Sequence, residues 1–278
     1  MTTPGSSFDP AAFWEERLDP FDVSAVGYLG LGRHYNEWLY RVRSIVFRRL
    51  VRRFVLDLGT ARVLDVGSGT GFYISEWTRA GARRLVGSDL TRVSTERLAR
   101  RYPRVEFVRF DVSEEPPFPP GSFDAISIFD VLYHVVDDRR YGAALGNLAA
   151  LLRPGGYLFF SENFLHREAR RDVHQVSRSL AEIERILGEV GLEIMVRRPM
   201  FALMNAPLDS DSALLHRFWH RLRRLIKRSE SAGATVGALL FPLEVALVSV
   251  LREGPSTEVM VCRKPEDPER PRASPSSR

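Results

Sequence analysis

The sequence predicts an α/β fold: a doubly wound, mostly parallel seven-stranded sheet, with an N-terminal helical cap and a helical insertion between the last two strands. Three observations predict it. Short apolar runs alternate with helical stretches through the middle of the chain, a Gly-x-Gly-x-Gly run follows the first of them, and an aspartate closes each of the first three.

The opening is polar, and "DPAAFWEERLDP" (9–20) and "GRHYNEWLYRVRSIVFRRLVRRFVLDLG" (32–59) read as helices. In the second, Trp38, Val42, Ile45, Val46, Leu50 and Phe54 recur at three- and four-residue spacings among arginines, so residues 1–58 form the cap. The period then changes. "ARVLDVG" (61–67), "RRLVGSD" (83–89), "VEFVRFD" (105–111), "FDAISIFD" (123–130) and "GYLFFSEN" (156–163) are strands. Helices fill 71–80, 91–101 and 138–152, the last stopped by "RPGG". Ser179 and Glu182 form a capping box for "SLAEIERILGEVG", which Gly191 closes. "LEIMVRRPMF" and "TEVMVCRK" are the last two strands. A core of 59–204 and a final strand at 255–265 are thus parted by an insertion, 205–254, far longer than an ordinary connection, and 266–278 reads as a disordered tail.

Composition narrows the class. With 278 residues, 44% hydrophobic and 27% charged, the chain can bury a sizeable core in one elaborated domain. Cys262 is the only cysteine, which excludes a disulfide framework and a multi-thiolate zinc site. No signal-like segment opens the sequence, so a cytoplasmic location is expected. The net charge of +5 is almost wholly arginine, Lys227 and Lys264 being the only lysines, and is weak evidence for a nucleic-acid partner.

In a parallel sheet, ligands sit at the carboxyl ends of the strands, and residues 67–71 are the first strand-to-helix turn. Gly67, Gly69 and Gly71 permit positive φ and close approach, with Ser68 and Thr70 between them. Asp65, two residues before the first glycine, would oppose a phosphate but suits a cationic group. The third glycine follows the second by two residues rather than three, which counts against a dinucleotide fingerprint and hence against a nicotinamide dehydrogenase. Asp89, with Leu90 beside it, suits a ribose diol, and Asp111 an adenine amino group.

These pieces, "VLDVGSGTG", "GSDL", "FVRFDV", "FDAISIFDVLYHVVDD" and "LLRPGGYLFFSEN", resemble in content and order the class I S-adenosylmethionine-dependent methyltransferases, Rossmann-like proteins. The resemblance covers about residues 60–200 plus the last strand. It implies a strand order 3-2-1-4-5-7-6 with the last strand antiparallel, and S-adenosylmethionine as cofactor, leaving as S-adenosylhomocysteine. Asp65 and the 67–71 backbone would hold the methionine portion, Asp89 the ribose, and Asp111 with Val112 the adenine. Phe129 and Asp130 would face the methyl donor.

Positioning can supply most of the acceleration of methyl transfer, and a general base is optional. His134, just after the fourth strand, is the candidate catalytic residue and also a candidate cofactor contact; its alternative role is to pack cofactor or lid. Candidate acceptor contacts are Tyr28 and Tyr35 of the cap, Tyr133, and Asn163 and His166 after the fifth strand; His174 reads as a surface residue. The Glu162–Asn163 pair differs from the Asp-Asn pair of cation-dependent catechol methylators, and no metal is expected. The absence of a base-methylating motif after the fourth strand disfavours DNA.

In "LLHRFWHRLRRLIKR", Leu214, Leu215, Phe218, Trp219, Leu222, Leu225 and Ile226 form one stripe among arginines. Either it contacts a membrane surface through 213–228, or it is a lid packed on the domain; the lid is the reading adopted. "GATVGALLFPLEVALVSVL" is nearly long enough to span a bilayer, but Pro242 and Glu244 at its centre point to a buried helix roofing a pocket or to a dimer contact. The expected protein is therefore a monomeric or homodimeric methyltransferase acting on O, N or C of a small, fairly apolar molecule such as a secondary metabolite, quinone or lipid precursor. A protein or peptide methyltransferase and a non-catalytic membrane-associated or binding protein on the same scaffold are the alternatives.

Overall fold

The computed structural model describes residues 9–19, 21, 27, 29–55 and 57–266; Tyr28 and, except for its first residue, the expected tail at 266–278 lie outside them. In chain order the elements are α1 (Pro10–Arg17), α2 (Arg33–Phe54), β1 (Arg62–Val66), α3 (Phe72–Ala80), β2 (Arg84–Asp89), α4 (Arg92–Arg101), β3 (Glu106–Arg109), β4 (Phe123–Ile128), α5 (Asp138–Leu151) and β5 (Leu152–Glu162). A short hairpin follows, β6 (Arg170–Arg171) and β7 (Val176–Ser177), then α6 (Leu180–Glu189), β8 (Glu193–Pro199), α7 (Ala213–Ile226), α8 (Glu230–Val250) and β9 (Glu258–Arg263).

The main sheet has the order β3-β2-β1-β4-β5-β9-β8. Strands β1 to β5 run parallel, and β9 pairs antiparallel with both β5 and β8, as the resemblance implies. Helices cover both faces, which is why β1 and β4 read as nearly continuous apolar runs. One face packs against α2, α3, α7 and α8 through Val42, Ile74, Trp77, Trp219 and Val248, the other against α5 and α6 through Leu145, Leu148, Ile183 and Leu187. Helix α5 ends at Leu151, directly before the "RPGG" segment, which also forms a bulge inside β5: pairing jumps from Phe123–Leu152 to Ala125–Tyr157, and Gly155 takes φ +79°.

The insertion differs from expectation in how it is buried. Of the α7 stripe, Trp219, Leu222 and Ile226 are buried, while Leu214 is 71% exposed and Phe218 and Leu225 are about half as exposed, at 36% and 40%. The sequence stripe is wider than the arc the fold can cover. Helix α8 is long and apolar enough to cross a membrane, yet one face of it lies against α2, with Gly237 beneath Trp38. The opposite face is exposed at Leu239, Leu243 and Val250, so α8 is not fully buried, and none of its residues lines the large cavity at the strand ends. Two carboxylates tie it down. Glu230 accepts hydrogen bonds from the backbone N–H groups of Arg33 and His34 at 3.0 and 2.9 Å, capping α2, whose own N-cap is Gly32 and has no side chain to do so. Glu244, fully buried, accepts from Ala202 and Leu203 N–H at 2.7 and 2.8 Å, which explains an acid in the middle of an apolar helix.

Candidate active site

The parallel strands end on one edge, and the loops after β1, β2, β3, β4 and β5 converge there around a cavity of 1090 Å³. Helices α1, α2 and α7 and the β6–β7 hairpin close its other sides. Its size is at or above the roughly 300–1,000 Å³ of ordinary ligand pockets, so two small molecules can sit side by side.

The three glycines answer to three constraints. All have positive φ (71°, 53° and 87° for Gly67, Gly69 and Gly71), conformations that cost other residues about 1 kcal/mol or more. A Cβ at Gly67 would lie 2.2 Å from Val131 Cγ2, and one at Gly71 would lie 2.5 Å from Leu98 Cδ2. Gly71 is also the cap of α3, so the loop lays its backbone along the cavity and then turns directly into a helix.

The acids beneath this loop are committed to holding it. Asp65 is buried: Oδ1 accepts from Ser127 Oγ at 2.6 Å and Oδ2 from Ser68 Oγ at 3.0 Å. Burial pushes its pKa up to about 7 against the pull of those two hydrogen bonds. It supports the loop from below, whereas Gly67, Ser68, Gly69 and Thr70 line the cavity themselves. Asp89 does face the cavity; Oδ2 accepts from Gly69 N–H at 2.8 Å, and Oδ1 from the N–H and hydroxyl of Thr91 at 2.9 and 2.7 Å. Burial raises its pKa too, and these hydrogen bonds limit the rise. Asp111 accepts from Ser113 N–H and Oγ on one oxygen and from Arg140 at 2.7 Å on the other. Leu90, Phe110 and Val112 line the wall between Asp89 and Asp111.

After β4 the chain makes a strained turn at Asp130, φ +58°, held by Ser161, whose Oγ accepts from Asp130 N–H at 2.8 Å. Arg43 of α2 reaches Asp130 Oδ2 at 2.5 Å, and the guanidinium also lies over the rings of Tyr40 and Phe201. Phe129 stacks on Tyr73 at 4.1 Å. His134 Nδ1 lies 2.8 Å from the carbonyl oxygen of His174, an arrangement that assigns the proton to Nδ1 and leaves Nε2 as an acceptor. Trp14 of α1 packs edge-on against the His134 ring at 4.8 Å. Burial lowers the His134 pKa to about 4, so the ring is neutral at pH 7.

Several candidate residues lie elsewhere. Tyr35 is in the core, its hydroxyl donating to Met204 O at 2.8 Å; the cavity face of α2 is Asn36, Leu39, Tyr40 and Arg43. His166 points outward to Asp209 at 2.5 Å and to Glu253 at 3.6 Å. His174, in contrast, lines the cavity. Tyr133 and Asn163 line it as expected, Asn163 being fixed by Ser177 at 2.7 Å and Thr257 at 3.2 Å. Among the described residues no group of three or more His, Cys, Asp or Glu side chains is placed to hold a metal. Arg43, Arg140 and Trp14 escaped sequence reasoning. Nothing local distinguishes Arg43 from the other arginines of α2.

A glycine loop over a strand edge, flanked by acids rather than phosphate-binding cations, is the arrangement that the resemblance to class I S-adenosylmethionine-dependent methyltransferases implies. Residues 63–156 match the family described as "Methyltransferase domain". The chain is 29% identical over 165 residues to a probable S-adenosylmethionine-dependent methyltransferase of Mycolicibacterium smegmatis, covering 57% of this chain and 60% of that protein. It is 34% identical over 109 residues to a ubiquinone biosynthesis O-methyltransferase of Xanthomonas euvesicatoria pv. vesicatoria, covering 38% and 44% respectively. The match thus spans less than two thirds of these relatives. In fold it is similar to an S-adenosylmethionine-dependent methyltransferase of Leishmania major (TM-score 0.61, 18% identity, 94% of this chain and 87% of that one). It is also similar to the Burkholderia thailandensis 1,6-didemethyltoxoflavin-N1-methyltransferase solved with S-adenosylhomocysteine (TM-score 0.51, 20% identity, 82% and 79%). S-adenosylmethionine is the cofactor of this class.

Proposed function

We propose that this protein transfers the methyl group of S-adenosylmethionine to a small, fairly apolar molecule. The observation that carries the reading is the shared edge of the sheet: the glycine loop, Asp89 and Asp111 border one cavity large enough for donor and acceptor together. The donor set fits the cofactor. Of the about four lone-pair sites of the Asp89 carboxylate, three are taken by Gly69 and Thr91, leaving one on Oδ2 for a ribose hydroxyl, and among the described residues no arginine or lysine hydrogen-bonds the glycine loop. The cofactor supplies an electrophilic methyl group on a sulfonium.

The residues of the chain supply position and exclusion of water. Backbone of Gly67 to Thr70 would line the methionine portion, Asp89 would accept from the ribose hydroxyls, and Leu90, Phe110 and Val112 would sandwich the adenine near Asp111. Phe129 and Asp130 would sit beside the transferring methyl, where alignment counts for most of the rate. His134, neutral and clamped between Trp14 and the His174 carbonyl, ties cap to hairpin at the mouth; a pKa near 4 makes it a poor general base at neutrality, and a positioning role fits it better. The ubiquinone biosynthesis O-methyltransferase among the relatives supports an oxygen acceptor.

Isothermal titration with S-adenosylmethionine, S-adenosylhomocysteine and NADH tests the reading. Micromolar binding of the first two and none of the third is expected; NADH binding, or no binding by folded protein, would overturn it.

A further inference from the structure

The acceptor side of the cavity is basic, and part of that charge is unmatched. His216, Trp219, His220 and Arg223 of α7 follow the spacing i, i+3, i+4, i+7, which puts all four on one helical face, and all four line the cavity. Arg170 on β6 and Phe201 after β8 line it as well. Among the described residues the Arg223 guanidinium has no hydrogen-bond or ion-pair partner, and its Nε is buried from solvent. Arg170 and His220 likewise have no side-chain partner there. The acids that might have neutralised them are engaged elsewhere: Asp130 with Arg43 at 2.5 Å, and Asp172 with the backbone of Val173 at 2.7 Å.

Many arginines without an ion pair, Arg52, Arg84 and Arg224 among them, are exposed on the outer surface, whereas Arg223 is half-buried on the cavity wall, where a ligand can complete the pair. Elsewhere Glu76 holds two arginines, Asp138 holds two, and Asp209 holds a histidine and an arginine. A half-buried guanidinium without a counter-ion is costly, and its planar fork matches an oxyanion with two parallel hydrogen bonds. On the same cavity wall the half-buried Ala206 and Leu208 offer apolar surface, with an edge of Trp219, which is 5% exposed.

We propose that the acceptor carries an oxyanion, a carboxylate or a phosphate ester, on an apolar and preferably aromatic body, and that Arg223 reads it. His220 and Arg170 assist at the mouth, and Trp219 packs the body. This deepens the methyltransferase reading and rests on it only for the word acceptor. Arg223 is then a specificity residue on the appended helix, remote from the glycine loop.

The test titrates three probes of like shape, 2-naphthoate, 2-naphthyl phosphate and the neutral 2-naphthalenemethanol, into the full chain with and without S-adenosylhomocysteine. At least one anion is expected to bind about tenfold or more tightly than the alcohol, and which one does so separates carboxylate from phosphate. Arg223→Gln should abolish that preference while leaving naphthalenemethanol and S-adenosylhomocysteine affinities within about twofold, and Arg223→Lys should restore part of it. His220→Gln, at an exposed position, should weaken the preference by about twofold to threefold and serves if Arg223→Gln does not fold. Anions that bind no better than the alcohol, absence of anion binding at millimolar concentration, or a preference that survives both substitutions would overturn the proposal. Should the anion preference depend on Arg223 while S-adenosylhomocysteine does not bind, the methyl-transfer reading falls and the anion site stands.

Discussion

The two halves of the cavity handle charge in opposite ways. On the donor side every acid is already hydrogen-bonded: Asp65 by two serines, Asp89 by Thr91 and the Gly69 N–H, Asp111 by Ser113 and Arg140. On the side bordered by α7 and the β6–β7 hairpin, Arg223, Arg170 and His220 have no such partners among the described residues. A site whose ligand never changes gains from preorganisation, because rigid dipoles need not be rearranged on binding. A site built on appended helices has its charge completed by the ligand, so its specificity lies in what the protein leaves unpaired.

The sharpest break of this comparison is on the donor side. Asp89→Ala removes the acceptor that fixes Gly69 and faces the cavity, and should lower S-adenosylhomocysteine affinity by roughly 10- to 100-fold, the worth of one or two hydrogen bonds to a charged group. Titration calorimetry measures it, and an unchanged dissociation constant would show that the acids are purely structural.

Next comes a change confined to the appended half. Glu244→Ala leaves the Ala202 and Leu203 N–H groups buried without an acceptor, and should cost about 2 kcal/mol in urea unfolding while S-adenosylhomocysteine affinity holds. A parallel loss of cofactor affinity would mean the halves are coupled through α8.

The smallest effect is in pH. Burial lifts Asp65 to about 7, so near neutrality it is partly protonated in the free protein. A cationic donor favours the ionised carboxylate, so S-adenosylmethionine affinity should fall as pH drops through 7, by less than tenfold per unit, with a proton released on binding. Calorimetry in two buffers of different ionisation enthalpy counts that proton. Asp65→Asn should remove it.

How legible each part was depends on how far apart its partners lie in sequence. The glycine loop and the acids at strand ends are punctuation within single βα units, where period, turn and cap are local. The Arg43–Asp130 pair joins residues from α2 and the turn after β4, and the His134–His174 contact joins that turn to the hairpin, so no local pattern announces either. Tyr35 was read onto the cavity and belongs to the core because the phase of α2 is set by what it packs against. One position along, Asn36 begins the i, i+3, i+4, i+7 frame that meets the cavity, and His216 begins the same frame on α7. His166 failed similarly, turned outward by Asp209.

By itself the sequence determined the sheet, its helices, the glycine loop and the resemblance to the methyltransferases, because these rest on hydrophobic period, glycine conformation and short turns. The tertiary structure alone decided which face of each added helix borders the cavity, which charges are spent on one another and which are left for a ligand. Those depend on rotations of about 100° per residue and on contacts between elements far apart in the chain, quantities that a linear pattern does not contain.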